Sequence, residues 1–302
     1  MNIKLNIILP IIIIILILSI SIPLILWKKE KLKFNQNQVK ENKILTKTNT
    51  TNIFKKLSKY AGKKKYVIIC SSGPSLKDLD GLKQKLIDKG ILDDAYVIGL
   101  KSSVNYLNKL GIRCDFFASN FMGAFSDLNK DLLNDNKMVK VCLDYKDETT
   151  IDYEGMKQKC DYIIGKEGNW YNDNNILSCI MNDKQDNCAM FSKDQKIRLG
   201  HIFMELAIPI ALLLKPKNIL TIGWDLSNNK YYNNETNFVK NCGIGADTIP
   251  GKEASDSMHF WGRTQNLIKF SSKLPKYLQK YYGISIYKLS DKSCAEIPLF
   301  NL

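Results

Sequence analysis

Histidine is almost missing from this chain: His201 and His259 are its only two in 302 residues. The eight cysteines, at 70, 114, 142, 160, 179, 188, 242 and 294, contain no C-x-x-C pair. Zinc centres are built from closely spaced Cys and His ligands, so none is expected. The run Asn172–Asn175 lacks the fixed spacing of oxygen ligands that a calcium loop needs and reads as ordinary loop. Neither a metal nor another cofactor is expected, and no internal repeat is visible. Acidic residues are scarce at the start: residues 1–65 hold 2 Glu against 14 Lys, for a net charge of +12. The whole chain carries +14, so residues 66–302 are nearly neutral. That distribution excludes a nucleic-acid role for the body and ties the basic excess to a membrane surface.

What the N-terminus has instead is an uncharged run. Ile7 to Trp27 is dominated by Ile and Leu, interrupted only by Pro10, Ser19, Ser21 and Pro23. Its 21 residues match the roughly 20 needed to cross a hydrocarbon core. Trp27 and the Lys cluster that follows suit an interfacial anchor, and small residues at a cleavage site are lacking. The expectation is an uncleaved single-pass anchor at 1–27, with the lipid bilayer as partner of residues 7–27. Its orientation stays open. Lys28, Lys29, Lys31 and Lys33 place the body in the cytoplasm by the positive-inside rule. The sequons at Asn49 and Asn234 suit a lumenal body. Residues 28–64, rich in Lys, Asn, Gln and Thr, read as a stem that cannot bury a core of its own.

From Tyr66 the pattern changes. Y-V-I-I-C (66–70) is a short β-forming run without alternation, as expected of a strand buried on both faces of a parallel sheet. It stops at S-S-G-P-S (71–75), and Leu76, Leu79, Leu82, Leu86 and Ile87 follow at helical spacing, with Ser75 placed as N-cap. A small-residue turn between strand and helix suits a phosphate or a sugar nucleotide; a plain turn with no ligand is the other reading. Further strands are expected at 95–100, 114–118, 138–143, 160–164, 218–223 and 284–289. The most apolar helix spans Arg198–Leu214, kinked at Pro209, and a second spans about 260–282. Two polar excursions, near 165–197 and 226–258, interrupt the body, the first read as a lid. Cys179 and Cys188 flank a polar loop and are a pair for an oxidising compartment. The fold class expected for 65–302 is therefore α/β and Rossmann-like, a mostly parallel sheet with helices on both faces.

The residues V-I-I-C-S-S-G-P-S-L-K-D-L-D (67–80) resemble the opening strand and loop of bacterial sialyltransferases with an N-G-P-S-L signature. The same signature marks the related motility accessory factor and pterin pyrophosphokinase-like proteins. I-L-T-I-G-W-D-L (219–226) and H-F-W-G-R (259–263) are similar to later parts of that family. The resemblance implies a membrane-anchored glycosyltransferase that moves a nonulosonic sugar from a CMP-activated donor to a glycan acceptor, by an inverting and metal-independent mechanism. It implies donor contacts at Ser72, Gly73, Pro74, Ser75, Asn120, Gly223 and Asp225, with Tyr231 and Tyr232 near the leaving phosphate. Lys101 and Arg263 are further candidates to meet phosphate charge. The general base falls to His259, since a near-neutral imidazole suits that task and His201 lies inside the apolar helix. This chain departs from the pattern in three places: Ser72 replaces the signature Asn, Lys101 a second donor-binding Asn, and Arg263 the bacterial family's histidine. Two other functions stay open, a non-catalytic membrane protein that keeps the fold and a pyrophosphokinase-like enzyme using a nucleoside triphosphate.

Overall fold

The computed structural model describes residues 57–120, 128–144, 159–167, 180, 183, 196–197, 202–226 and 254–302. It describes backbone alone at 120, 130, 143–144, 163–167, 196–197, 205 and 254–266. All of these residues belong to one compact unit, Asn49–Leu302. The expected anchor, most of the stem and most of both excursions lie outside the described residues. Among the described residues no helix is long and apolar enough to cross a membrane.

The elements follow the alternation of the sequence. Strand β1 (Tyr66–Cys70) leads through a 3-10 turn (Pro74–Lys77) into α1 (Asp78–Asp88). Then come β2 (Ala95–Leu100), α2 (Ser103–Lys109), β3 (Phe116–Asn120), α3 (Lys130–Leu133), β4 (Val139–Asp144), β5 (Tyr162–Glu167) and β6 (Lys196–Ile197). A π-helical turn (Phe203–Ala207) runs into α4 (Ile208–Leu214), followed by β7 (Asn218–Ile222), α5 (Ala254–Tyr282) and β8 (Ser285–Lys288). The eight strands form one sheet in the order β6-β5-β4-β3-β2-β1-β7-β8, every pair parallel. This is the Rossmann-like α/β architecture expected, with one addition: β6 is a short edge strand inside the stretch read as a polar excursion.

The absence of alternation in the strands has its cause in two cores. On one face Val67, Ile69, Ile98, Phe116, Val141 and Ile219 pack under the π turn, α4 and α5. On the other Ile68, Cys70, Val97, Phe117, Leu220 and Ile222 pack under α1 and α2. Each such side chain contributes about 1.5–3 kcal/mol on burial. Three aspartates that precede strands set the register. Asp94, Asp115 and Asp161, just before β2, β3 and β5, accept the backbone N–H groups of Lys65, Val97 and Lys140 at 3.1, 2.9 and 2.8 Å. Pro209 stands in the first turn of α4, directly after the wider π turn Phe203–Ala207.

Helix α5 packs on the sheet through Phe270, Leu274, Tyr277 and Leu278 and then delivers the chain to the start of β8. Its first turns therefore extend toward the carboxyl ends of the strands. The first excursion reaches the opposite end of this helix: Asp183 pairs with Lys280 at 2.7 Å, and its carbonyl accepts the Tyr281 hydroxyl at 2.7 Å. That part of the excursion sits at the amino edge of the sheet, where it does not cover the strand carboxyl ends.

Candidate functional site

The strand order steps steadily outward from β1 to β6, then returns to place β7 on the other side of β1. The chain leaves β1 for the helical layer of α1 and later enters α5 in the opposite layer. Between the carboxyl ends of β1 and β7 the two connections diverge, which opens the crevice where ligands of open α/β sheets bind. The sequence brings Ser71–Ser75 to one wall and Gly223–Asp225 to the other.

These walls are sewn together. The Ser71 N–H donates to the Ile222 carbonyl at 2.8 Å and the Gly73 N–H to the Gly223 carbonyl at 2.8 Å. The Ser75 N–H donates to Asp225 Oδ2 at 2.8 Å, and the Ser75 hydroxyl donates to Asp225 Oδ1. That same hydroxyl oxygen accepts the Gly223 N–H at 3.0 Å. Ser75 thus does not cap the helix; Gly73 occupies the cap position and no side chain caps it. The approach is close enough to demand glycine twice. A Cβ at Gly223, whose φ is +76°, would stand 2.1 Å from the Ser71 carbonyl oxygen. One at Gly73 would stand 2.4 Å from the Gly223 carbonyl oxygen. Asp225 is 3% exposed, and burial raises its carboxyl above the usual aspartate range. The two bonds from Ser75 oppose that rise; Asp78 adds to it and Lys292 counters it.

With the Gly73 and Ser75 amides engaged, the polar groups of the rim are hydroxyls. Ser72 Oγ donates to the Leu100 carbonyl at 3.2 Å and accepts from Ser102 Oγ at 3.3 Å. Ser103 Oγ donates to the Cys70 carbonyl at 2.8 Å and accepts the Leu100 N–H at 2.9 Å. Ser71 Oγ is buried and has no hydrogen-bond partner among the described residues. Lys101 closes β2 with φ +51°, its N–H donating to the Ala118 carbonyl at 3.3 Å. Asn120 ends β3. Ser72, Gly73, Pro74, Ser75, Lys101, Asn120, Gly223 and Asp225 therefore gather at the carboxyl edge of β1, β2, β3 and β7. His259 and Arg263 lie on the first turns of α5, as backbone only. Tyr231 and Tyr232 lie outside the described residues.

Sequence reading missed the C-terminal tail. Ser293 Oγ donates to the Trp224 carbonyl at 2.6 Å and the Cys294 N–H to the Asp225 carbonyl at 2.7 Å. Lys292 is paired with Asp78, which also accepts the Ser290 hydroxyl at 2.7 Å. Behind this wall Trp224 stacks on Phe203 with ring centroids 3.9 Å apart. The tail carries no periodic pattern, so its bracing role had no signature beyond small and polar residues. No group of metal-binding side chains occurs among the described residues.

Comparison with known proteins bears on this arrangement. The profile of the family described as 6-hydroxymethylpterin diphosphokinase MptE-like matches residues 36–231, which takes in both walls of the crevice and stops short of α5. No curated protein matches the chain. Among solved structures, a variant of the sialyltransferase CST-II in complex with CMP is 18% identical, with 78% of this chain and 86% of that one covered and a TM-score of 0.39. The MAf glycosyltransferase from Magnetospirillum magneticum AMB-1 is 16% identical, with 80% and 33% covered and a TM-score of 0.41. The monofunctional alpha-2,3-sialyltransferase Cst-I from Campylobacter jejuni is 17% identical, with 79% and 81% covered and a TM-score of 0.39.

Proposed function

This chain belongs to the 6-hydroxymethylpterin diphosphokinase MptE-like family, and from that premise we propose that it is a membrane-anchored glycosyltransferase. In this reading it transfers a nonulosonic sugar from a CMP-activated donor to a glycan, with inversion and without a metal. Residues 7–27 hold it in the bilayer. The observation that carries the reading is the crevice between β1 and β7, which combines a rigid floor with a buried hydroxyl that has no partner among the described residues. Buried polar groups are nearly always hydrogen-bonded, so Ser71 Oγ is fitted to a ligand atom entering at that point. Ser72, Lys101 and Asn120 are the rim groups that meet the nucleotide. Gly73, Ser75, Gly223 and Asp225 act by fixing the crevice's shape, because their polar atoms are bonded to one another, and Pro74 restricts the backbone between two of them.

The chemistry requires a base for the acceptor hydroxyl and positive charge for the departing phosphate. Helix α5 carries His259 and Arg263 four residues apart, hence on one face, in the segment that extends toward the strand carboxyl ends. In the proposed mechanism His259 takes the acceptor proton as the hydroxyl attacks the anomeric carbon. Arg263, Lys101 and the tyrosines Tyr231 and Tyr232 stabilise the phosphate that leaves.

A second reading rests on the family's own description: a diphosphokinase-like enzyme would use the same crevice for a nucleoside triphosphate. The two separate in one experiment on the full-length protein in detergent. Under the first reading, CMP at 100 times its Kd raises the Tm by about 5 °C or more, since binding to the folded state alone is worth about 2.7 kcal/mol. A shift with ATP and magnesium, and none with CMP, favours the second. If sugar transfer is measured, His259→Ala lowers kcat by about 10²–10⁴-fold while the CMP shift persists. Unchanged turnover removes His259 from the mechanism.

A further inference from the structure

Away from the crevice, on the core face covered by α1 and α2, two thiols stand in contact. Cys142 Sγ and Cys160 Sγ are 2.7 Å apart, and both cysteines are free. We propose that Cys142 and Cys160 form a structural disulfide, and that the body of this protein resides on the oxidising side of its membrane.

The backbone holds the two sulfurs together independently of the loop between them. Cys142 lies within β4, and Cys160 lies two residues before β5. Between these strands the Asp161 N–H donates to the Lys140 carbonyl at 3.0 Å, and the Lys140 N–H donates to Asp161 Oδ2 at 2.8 Å. A disulfide bond of about 2.05 Å therefore requires the sulfurs to close by only roughly 0.7 Å. Cys142 is fully buried and Cys160 is half-buried, so the reaction begins at Cys160. Its thiolate attacks one sulfur of a small disulfide such as oxidised glutathione, giving a mixed disulfide and releasing one glutathione thiolate. Cys142 then passes its proton to a glutathione thiolate, attacks Cys160 Sγ and expels the second glutathione. Two protein thiols are oxidised and one small disulfide is reduced to two thiols. Burial pushes the Cys142 thiol well above its ordinary range, which slows the second step in the folded protein and favours closure while the chain is still folding. Disulfides of this kind persist where the surroundings are oxidising.

The test uses the full-length protein extracted from membranes without reductant, alkylated with iodoacetamide in denaturant and digested with trypsin. Mass spectrometry is expected to find Val141–Lys146 joined to Cys160–Lys166, two hydrogens lighter than the separate peptides, and to lose the joined species when reductant precedes alkylation. Two alkylated peptides without prior reduction, or either peptide joined to a different cysteine, would overturn the proposal. Cys160→Ser supplies a second measurement. Without reductant the wild type should melt about 5–10 °C above this variant, as expected for a cross-link spanning 18 residues. After reduction the difference should vanish. An equal difference under both conditions would also overturn the proposal, because it would reflect packing of the thiol alone.

Discussion

Asp225 ties the site together by giving both carboxylate oxygens to Ser75. Replacing it with Ala leaves a buried N–H and a buried hydroxyl unpaired, and hydrogen bonds to a charged group are worth about 1.5–3 kcal/mol each. Asp225→Ala is expected to lower stability by about 2–4 kcal/mol in urea titration, with loss of any CMP-induced shift in Tm. The carboxyl also has a pH signature. Its folded-state pKa is raised, chiefly by burial, so its contribution is complete below the unfolded value of about 3.9 and is lost as pH rises through the folded value. Asp225→Asn should flatten that decline in a plot of unfolding free energy against pH. Gly223→Ala forces a side chain into the left-handed region and against the Ser71 carbonyl, and is expected to cost roughly 3 kcal/mol or more by the same titration. The residues of this cluster were visible in the sequence as a small-residue turn and a G-x-D. Their partnership was not, because nothing in a linear pattern reports that Ser75 and Asp225, 150 positions apart, will bond to one another and leave no amide for a phosphate there.

At the scale of elements, the buried strands were legible because a parallel sheet covered on both sides selects unbroken apolar runs. Boundaries shifted by one to three residues, as strand ends do. The strand expected at 114–118 begins at Phe116, because Asp115 uses its carboxylate on Val97 and its backbone on both neighbours: its N–H donates to the Val97 carbonyl and its carbonyl accepts from Val139, each at 2.9 Å. The cue was present in the text as an aspartate before each of A-Y-V-I, F-F-A and Y-I-I, a signal tied to tertiary register rather than to local propensity. Asp115→Ala removes the acceptor of the Val97 N–H and is expected to destabilise by about 1–3 kcal/mol. Hydrogen exchange at the Val97 amide should accelerate more than exchange at Leu220, on a strand that Asp115 does not touch. The edge strand β6 escaped notice because two residues carry no periodicity.

For the whole molecule, basic charge concentrates in residues 1–65 while residues 66–302 are nearly neutral, and under the proposed reading the first serves attachment and the second catalysis. The uncharged run at 7–27 predicts that the protein stays in the pellet when membranes are washed with alkaline carbonate and dissolves only with detergent. Four lysines placed in that run should release it, because each costs about 2.5–3.5 kcal/mol at the centre of a span. Recovery of the unaltered protein in the wash would reject the anchor. Fold class and the carboxyl-edge location were readable from the order of runs, since parallel β-α-β units leave few topologies open. The occupant of the crevice was not, since glycines and hydroxyls bonded to one another fix a shape without naming a ligand.

The tail contact has a temporal side. Ser293 and Cys294 hold the Trp224–Asp225 wall, more than 200 residues after β1 in the sequence. During translation the opening strand can pair with β2 early, yet it waits for β7, and the wall waits for Ser293 and Cys294. A nascent chain therefore holds an unfinished crevice until those residues emerge, and a chain cut before them would retain much of the sheet without the bracing of that wall.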